Sequence, residues 1–480
     1  MIFKNYIDGV FNDAASGDQM DVYEPATGKV YAKVVSSSVV DVDMAVRAAD
    51  KAFDSWSTLP LAIRCEYLVK IAEAIENKAQ HLAELESTDQ GKPLSLAARI
   101  DIPRAASNFR FFAGAISHHL EQSSTMDNQA INYSLREPVG VAGLISPWNL
   151  PLYLLTWKIA PAIACGNTCV AKCSELTPAT ANALCEIFSE IDLPLGVVNL
   201  VHGLGHNVGR AISSHPDIPL VSFTGGTQTA IDIQQQAAPY FKKLSLELGG
   251  KNPNIIFADA DFELAVEESV RSAFTNQGEI CLCGSRILIQ ESIYEQFREA
   301  FVAKTKELVT GDPFCESSDL GALVSASHRD KVLSYIDKAK QLGGRILCGG
   351  EIPLLTGPLA NGYFILPTVI DGLTQDCDVI QQEIFGPVVT LQSFSSESEA
   401  LTMANDIAYG LSATIWTKDS TRTHRFAAGL KAGIIWVNTW LKRDLKTPFG
   451  GYKASGVGRE GGHYSIDFYT ESKNVCIALI

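Results

Sequence analysis

Short apolar runs alternate with longer amphipathic stretches between residues 139 and 224, and this alternation constrains the fold most. Residues 139–146, 168–172, 197–201 and 220–224 are predicted to be buried strands. Helices are predicted over about 152–164 and from Thr177-Pro178, as N-cap and first-turn proline, to about residue 190. Strands that alternate with helices in this way indicate a parallel sheet. The pattern predicts a doubly wound α/β domain of the nucleotide-binding kind.

A second α/β series is predicted after residue 250, starting with a helix that Asp261 caps. That helix carries an apolar face formed by Val266, Val270, Ala273 and Phe274. Two segments fit neither series, and we interpret them as a β arm that pairs subunits into a homodimer or homotetramer. The predicted boundaries are 1–120 with 139–248 for the first domain, 249–464 for the second, and 121–138 with 465–480 for the arm.

Composition excludes several classes of partner. With 39 basic against 54 acidic residues the net charge is −15, which disfavours nucleic-acid binding. No apolar run reaches membrane-spanning length, and the first residues lack the build of a signal peptide. The 11 cysteines are scattered, which favours a reducing cytoplasm over a disulfide framework. No cysteine or histidine spacing typical of a metal site occurs, so no metal is expected.

Two segments carry residue types suited to covalent catalysis. Residues 276–286 read Asn-Gln-Gly-Glu-Ile-Cys-Leu-Cys-Gly-Ser-Arg and contain Cys281, and residues 246–251 read Leu-Glu-Leu-Gly-Gly-Lys and contain Glu247. A cysteine thiolate attacks an electrophilic carbon, and a partly buried carboxylate can activate water. A nucleophile and a separate base indicate a covalent intermediate that is later hydrolysed. Cys283 is interpreted as a packed thiol.

Three further sites are ambiguous on local pattern alone. The glycines at 203, 205 and 209 miss the G-x-G-x-x-G spacing by one residue, while Gly225-Gly226 also stands where a strand meets a helix, so either turn suits a pyrophosphate. Lys172 and Glu175 follow a strand, where an acidic side chain can bind adenosine ribose hydroxyls and repel a 2′-phosphate, or form a surface ion pair. Asn149 is either an oxyanion donor or a turn asparagine.

Five motifs in order along the chain carry a family resemblance. They are Pro147-Trp148-Asn149, Leu246-Glu247-Leu248-Gly249-Gly250, the stretch 277–281, Glu383-Ile384-Phe385-Gly386-Pro387 and Pro448-Phe449-Gly450-Gly451. Together they resemble the NAD(P)-dependent aldehyde dehydrogenase superfamily over essentially the whole chain. The resemblance implies an α/β protein with two doubly wound parallel-sheet domains, one binding NAD and one catalytic, plus a small β oligomerisation arm.

The same resemblance implies a role for each matching residue. Cys281 corresponds to the nucleophile, Glu247 to the base that activates the deacylating water, and Asn149 with the Cys281 N–H to the oxyanion hole. The implied cofactor contacts are Glu383 at the nicotinamide ribose with Phe385 beside it, Lys172 and Glu175 at the adenosine ribose, the Gly225-Gly226 turn at the pyrophosphate, and Pro147 and Trp148 in the same pocket. Cys173 stands where the family usually has proline, and Gly226 where it often has serine.

Two arginines sharpen the expected substrate. Arg104 and Arg443 lie in segments that line the substrate tunnel of the superfamily, as does Phe449. Two guanidinium groups there predict a small aldehyde that carries a carboxylate, because such a group binds carboxylates in a bidentate way. The alternative is that the arginines pair with the neighbouring Asp101 and Asp444.

The segments 102–104 and 278–283, with Trp440 three residues before Arg443, resemble one branch of the superfamily. That branch comprises the 2-aminomuconate and 2-hydroxymuconate semialdehyde dehydrogenases, which act in tryptophan (kynurenine) or catechol degradation. The alternatives are a dehydrogenase for betaine aldehyde or succinate semialdehyde, a non-catalytic protein with the same fold, and a thiol hydrolase without NAD.

Overall fold

The computed structural model describes residues 1–479, which form two large sheets, two three-stranded sheets, one two-stranded sheet and their covering helices. The strands are β1 (Ile2–Phe3), β2 (Asn5–Ile7), β3 (Val10–Asn12), β4 (Gln19–Glu24), β5 (Lys29–Val35), β6 (Ser123–Met126), β7 (Ala130–Pro138), β8 (Val141–Ile145), β9 (Thr168–Lys172), β10 (Val198–Leu200), β11 (Leu220–Thr224), β12 (Lys243–Glu247), β13 (Pro253–Ile256), β14 (Arg286–Gln290), β15 (Arg345–Cys348), β16 (Thr368–Asp371), β17 (Val388–Phe394), β18 (Tyr409–Gly410), β19 (Ser412–Trp416), β20 (Ile434–Val437), β21 (Tyr452–Lys453), β22 (Gly456–Val457) and β23 (Thr470–Ala478).

The α-helices cover the faces of these sheets. They are α1 (Val39–Ser57), α2 (Leu61–Asn77), α3 (Ala79–Gln90), α4 (Leu94–Leu96), α5 (Ile102–Ser117), α6 (Pro151–Ala164), α7 (Ala179–Glu190), α8 (Arg210–Ser214), α9 (Thr227–Ala237), α10 (Phe262–Phe274), α11 (Tyr294–Lys306), α12 (Ala326–Gln341), α13 (Asp378–Gln381), α14 (Glu397–Asn405), α15 (Ser420–Gly429) and α16 (Gly462–Phe468). A π-helical turn over Ala97–Asp101 leads into α5. Among the described helices, none is both long and apolar enough to cross a membrane.

The first sheet confirms the predicted parallel arrangement. Its order is β22-β12-β11-β8-β9-β10-β2-β3, and β12, β11, β8, β9 and β10 run parallel. From β8 the chain proceeds through β9 to β10 in one direction, and β11 and β12 then add on the other side of β8. The strand order therefore reverses between β8 and β11, and ligands of open α/β sheets bind in the crevice outside such a reversal.

The second sheet has the order β15-β16-β17-β14-β13-β19-β20, and only the edge strand β15 is antiparallel. Asp261 caps α10 as predicted, since its carboxylate accepts the Leu264 N–H at 3.3 Å. The predicted apolar face of α10 is buried in the core beside this sheet. The fold thus holds two parallel sheets in one chain.

Two details differ from the sequence predictions. The strand β22 pairs with β12 through Leu246–Val457 and Glu247–Gly456, so a part of the range 249–464 belongs to the first sheet. Thr177 does not cap α7: Pro178 occupies the cap position, and the Ala179 N–H donates to the Asp89 carboxylate at 2.7 Å. A buried carboxylate from a distant helix supplies the acceptor that the prediction assigned to the threonine hydroxyl.

The strands β6, β7 and β23 form a separate antiparallel sheet. Its long pair runs in register from Thr470 opposite Pro138 to Ala478 opposite Ala130. Every residue of β6 is exposed. The predicted arm segments therefore pair with each other, although the helix α16 occupies the start of the second one and Ile480 lies outside the described residues.

Candidate active site

Two cavities meet at one cysteine. The first, of about 280 Å³, lies at the crevice between β8 and β11. The predicted residues that line it are Pro147, Trp148, Asn149, Gly225, Gly226, Glu247, Cys281, Glu383 and Phe385. The second, of about 540 Å³, is lined by Arg104, Tyr153, Arg443 and Phe449 among others, and it also reaches Cys281 and Leu154. The Cys281 thiol therefore stands between a crevice at a sheet edge and a separate tunnel.

The register of the first sheet brings the crevice residues together. Thr224 at the end of β11 lies opposite Glu247 at the end of β12, and Phe223 lies opposite Ile145 at the end of β8. Because these strands are parallel, their carboxyl ends share one edge of the sheet. Residues that follow β8, β11 and β12 in the sequence therefore converge on the same crevice.

The backbone around Cys281 is held firmly. Asn252 donates its side-chain amide to the Cys281 carbonyl at 2.7 Å, and a Cβ on Gly250 would lie 2.9 Å from the same oxygen. The thiol is half-buried. Burial raises the pKa of Cys281, the nearby carboxyls of Glu383 and Glu247 raise it further, and the Arg443 guanidinium lowers it. The resting group at neutral pH is thus a thiol, and Arg443 favours its thiolate.

Glu247 is a buried carboxyl group without a protein partner. Its side chain is 3% exposed, and neither carboxyl oxygen forms a hydrogen bond within residues 1–479. Burial raises the pKa of Glu247 well above its usual value, with a further contribution from the charge of Glu460. Burying a carboxyl group without a hydrogen-bond partner costs free energy of folding, and a water molecule in the crevice is the available partner. The group is suited to proton exchange with such a water.

Asn149 is held through both its side chain and its backbone. Its side-chain amide donates to the Glu279 carbonyl at 2.8 Å, and its backbone carbonyl accepts from Lys92 Nζ at 3.0 Å and from the Asn276 amide at 3.2 Å. An asparagine amide has two N–H groups, so one remains without a partner in the described chain. Asn149 is 4% exposed and lines the crevice, which suits a preorganised oxyanion donor.

The crevice fits a dinucleotide. A Cβ on Gly226 would meet nothing within 4 Å, so the open space beside its backbone can admit a phosphate group. A Cβ on Gly249 would lie 1.9 Å from Glu383 Oε2, and the other carboxyl oxygen, Oε1, accepts the Gly250 N–H at 2.9 Å. Burial raises the pKa of Glu383 to about 7. The Trp148 and Phe385 rings pack edge to face at 5.3 Å between centroids.

Two predicted cofactor residues lie apart from the lining of both cavities. Lys172 pairs with Glu175 at 3.0 Å and also donates to the Cys173 carbonyl at 2.8 Å. They stand at the end of β9, the strand next to β8. Gly203 is packed instead against Val208 and Ser37, with an added Cβ only 2.6 Å from the valine side chain. The Gly225-Gly226 turn is the one that borders the crevice.

The structure excludes the alternative that the two tunnel arginines pair with neighbouring aspartates. Asp101 instead binds Lys92 at 2.6 Å, and Asp444 accepts the Lys446 N–H at 2.9 Å. Neither Arg104 nor Arg443 forms an ion pair within the described chain, whereas Arg271 beside the same tunnel is neutralised by Glu268 at 2.6 Å.

Tyr153 connects the two unpaired arginines. The Arg104 guanidinium lies over its ring at 5.5 Å from the centroid, and Arg443 Nη1 donates to its hydroxyl at 2.9 Å. Arg443 also stacks 3.7 Å from the Phe449 ring centroid, while its Nη2 is buried without a partner. An unpaired buried guanidinium nitrogen at a cavity indicates that an anion belongs there.

Sequence reasoning missed several groups at the site. Glu460, 6% exposed, accepts from Trp157 at 2.6 Å and from Lys158 at 3.4 Å behind Glu247. His328 and Lys331 line the crevice from α12. No local pattern marks these residues, because each becomes part of the site only through long-range packing.

Comparison with known proteins gives consistent matches over the whole chain. The sequence profile of the aldehyde dehydrogenase family matches residues 11–475. The 2-aminomuconic semialdehyde dehydrogenase of Danio rerio is 51% identical over 99% of this chain and 98% of its own length. The 2-hydroxymuconic semialdehyde dehydrogenase of Pseudomonas sp. (strain CF600) is 44% identical over 99% of each chain.

Solved structures share the fold. PnpE from Pseudomonas sp. WBC-3 has a TM-score of 0.97 and is 41% identical, covering 100% of this chain and 98% of its own. A structure of PnpE in complex with nicotinamide adenine dinucleotide matches with the same TM-score of 0.97, at 42% identity and the same coverage of 100% and 98%. The two-sheet architecture is therefore that of these proteins.

Proposed function

The chain belongs to the aldehyde dehydrogenase family, and from this premise we propose that it oxidises a muconate semialdehyde to the dicarboxylate with NAD. The proposed substrate is 2-aminomuconate 6-semialdehyde or 2-hydroxymuconate semialdehyde. The names of the relatives that are 51% and 44% identical support both substrates. The greater identity to the first favours the amino compound.

The unpaired arginines at the tunnel carry the substrate proposal. Arg104 and Arg443 flank Tyr153 in a cavity that ends at Cys281, so a carboxylate bound between them places the far end of the molecule at the thiol. Two guanidinium groups would repel a cationic aldehyde such as betaine aldehyde. Succinate semialdehyde also carries a carboxylate, and a substrate screen with both kinds of acid distinguishes it.

The residues of the site support the following sequence of steps. The Cys281 thiolate adds to the aldehyde carbon, and the free Asn149 amide N–H with the Cys281 N–H stabilises the oxyanion that forms. NAD, when bound, supplies the hydride acceptor. The resulting thioester on Cys281 is attacked by water, whose proton passes to Glu247, and the acid leaves as the thiolate re-forms.

The crevice residues support NAD as the cofactor. The Gly225-Gly226 turn at the start of α9 offers backbone N–H groups to a pyrophosphate, and Glu383 with Phe385 and Trp148 would hold the nicotinamide end. Glu175 after β9 would bind the adenosine ribose and repel a 2′-phosphate. We also propose that the β6-β7-β23 arm joins subunits into a dimer or tetramer.

Arg104→Ala tests the substrate proposal. The variant loses the charge-assisted hydrogen bond between Arg104 and the substrate carboxylate, which contributes about 1.5–3 kcal/mol. We therefore expect kcat/KM for 2-hydroxymuconate semialdehyde to fall by roughly 10–150-fold, mainly because KM rises. The rate with hexanal, which has no carboxylate, should change little. Steady-state NADH formation with each aldehyde gives the two kcat/KM values, and their ratio is compared between wild type and variant.

Arg110→Ala is the matched control, because Arg110 lies on the same helix and pairs with Glu76 at the surface. It should leave both substrates unaffected. Arg443→Ala should weaken the carboxylate substrate and in addition slow hexanal, since its charge favours the Cys281 thiolate. The proposed substrate would be contradicted if the ratio of kcat/KM for 2-hydroxymuconate semialdehyde to kcat/KM for hexanal were the same in wild type, Arg104→Ala and Arg443→Ala.

Activity should rise with pH. Burial raises the pKa values of both Cys281 and Glu247, and the reactive forms are the thiolate and the carboxylate. Raising the pH increases the thiolate fraction of Cys281, so the first-turnover rate, which precedes the hydrolysis assigned to Glu247, should increase by up to about tenfold per pH unit. Stopped-flow NADH fluorescence between about pH 6 and pH 9 measures this. A rate that increases on acidification would contradict the assigned protonation states.

A further inference from the structure

Three charged side chains lie buried together behind Asn149. Lys92 and Glu86 are 0% exposed and Asp101 is 1% exposed. The Lys92 ammonium lies 2.6 Å from Asp101 Oδ2 and 3.5 Å from Glu86 Oε1. Its remaining contact is the backbone carbonyl of Asn149, at 3.0 Å. The ammonium thus forms two hydrogen bonds, to Asp101 and to Asn149, and a longer ion pair with Glu86, which together offset the cost of burying its charge.

The contact with Asn149 bears on the reaction. An oxyanion donor stabilises developing charge only if it is already in place when the charge forms. The Asn149 carbonyl is held by Lys92 on one side and by the Asn276 amide on the other, while Glu279 fixes one amide hydrogen. Within residues 1–479, Lys92 is the only charged group in hydrogen-bond contact with Asn149. It lines neither cavity, so it acts on the site only through its neighbours.

We propose that Lys92 is a positioning residue for the oxyanion hole. By holding the Asn149 backbone, Lys92 aims the free amide N–H at the carbonyl that Cys281 attacks. Asp101 and Glu86 keep the ammonium at that place. The proposal rests on the proposed aldehyde oxidation and adds to it a residue that touches neither substrate nor cofactor.

A double-mutant cycle between Lys92→Met and Asn149→Ala tests this role. The first-turnover rate of NADH formation with hexanal should fall about 10²–10³-fold in Asn149→Ala, the scale of losing one oxyanion donor. Lys92→Met alone should lower it roughly 10–100-fold with NAD affinity unchanged. If Lys92 acts through Asn149, adding Lys92→Met to Asn149→Ala should cost less than about threefold. Losses that multiply would overturn the proposal.

Repeating the cycle in a second mutant background tests whether misfolding explains the loss of activity. Lys92→Met leaves Asp101 buried without its counter-ion, whereas Lys92→Met combined with Asp101→Asn removes both charges together. The same cycle in that background should show the same loss of additivity. Lys78→Met, which removes a surface lysine paired with Glu190, is the matched control and should keep the wild-type rate.

The uncharged aldehyde separates this inference from the choice of substrate. If wild type oxidises hexanal as well as it oxidises carboxylate-bearing aldehydes, the proposed substrate fails and the cycle still reports on Lys92. If wild type forms no NADH with any aldehyde, the proposed function fails. Multiplicative losses in an active wild-type background contradict only the positioning role.

Discussion

Replacing Cys281 by alanine should abolish aldehyde-dependent NADH formation. The crevice at the sheet edge and the arginine-lined tunnel meet at this thiol, and among residues 1–479 no other cysteine lines either of them. Without the sulfur no thiohemiacetal forms, so the carbon has no route to give up its hydride. We expect a loss of at least about 10⁴-fold in kcat, the scale of removing a covalent nucleophile. Steady-state and first-turnover NADH fluorescence measure it.

Cys283→Ala is the control for this experiment. Cys283 lies two residues further along the same loop, is 5% exposed and packs in the core beside Trp440. Its removal deletes one buried sulfur and should cost modest stability while leaving kcat within a few-fold. The acylation role of Cys281 is contradicted if Cys281→Ala retains turnover, or if Cys283→Ala loses as much. NAD binding to Cys281→Ala, followed by tryptophan fluorescence, shows that the site is intact.

The sheets could be predicted from the sequence because their strands are buried on both faces. Such strands are short continuous apolar runs, and β9 and β11 have the predicted bounds of 168–172 and 220–224. Their parallel pairing follows from the intervening helices. The crevice follows in turn, since the carboxyl ends of adjacent parallel strands share an edge. Gly225-Gly226 and Asn149 could therefore be placed near one another from the strand pattern, whereas Glu247 ends β12, which was not among the predicted strands.

Features that depend on contacts between distant segments could not be predicted in the same way. The strand β22 has two residues and carries no strand pattern, yet it covers the edge of β12 that bears Glu247. Glu460 raises the pKa of Glu247 through its charge, although the two residues are 213 positions apart in the sequence. The acceptor for the Ala179 N–H at the start of α7 likewise comes from a distant segment, the Asp89 carboxylate on α3.

The arginine pair shows where local sequence misleads. Asp101 stands three residues before Arg104, and Asp444 follows Arg443 directly, so spacing alone favoured two ion pairs. The π-helical turn that ends at Asp101 directs its carboxylate to the buried Lys92 instead. A fully buried ammonium attracts a carboxylate more strongly than a solvated arginine does, because charges interact more strongly where the dielectric constant is low. The guanidinium groups are thereby left available for a ligand.

Glu247→Gln should separate the two halves of the reaction. Burial raises the pKa of Glu247 and so favours its neutral form, and glutamine has nearly the same shape, so this substitution should disturb the fold little. The amide cannot take a proton from water, so hydrolysis of the thioester on Cys281 should slow by roughly 10²–10⁴-fold. Acylation and hydride release should proceed. Stopped-flow mixing should therefore show a burst of about one NADH per site followed by slow turnover.

The trapped intermediate provides the decisive observation. Intact-protein mass spectrometry of Glu247→Gln after mixing should show the mass of the acyl group added, and the adduct should be absent in Cys281→Ala. Hydroxylamine, which attacks a thioester without a base, should release the acyl group and restore turnover.

Glu383→Gln alters the other carboxyl group of the crevice and should weaken NAD binding without leaving an adduct, because Glu383 lies at the cofactor side beside Gly249. Rapid turnover of Glu247→Gln with no adduct would show that the water is activated by another group, and the buried, unpartnered oxygens of Glu247 would then need a different explanation.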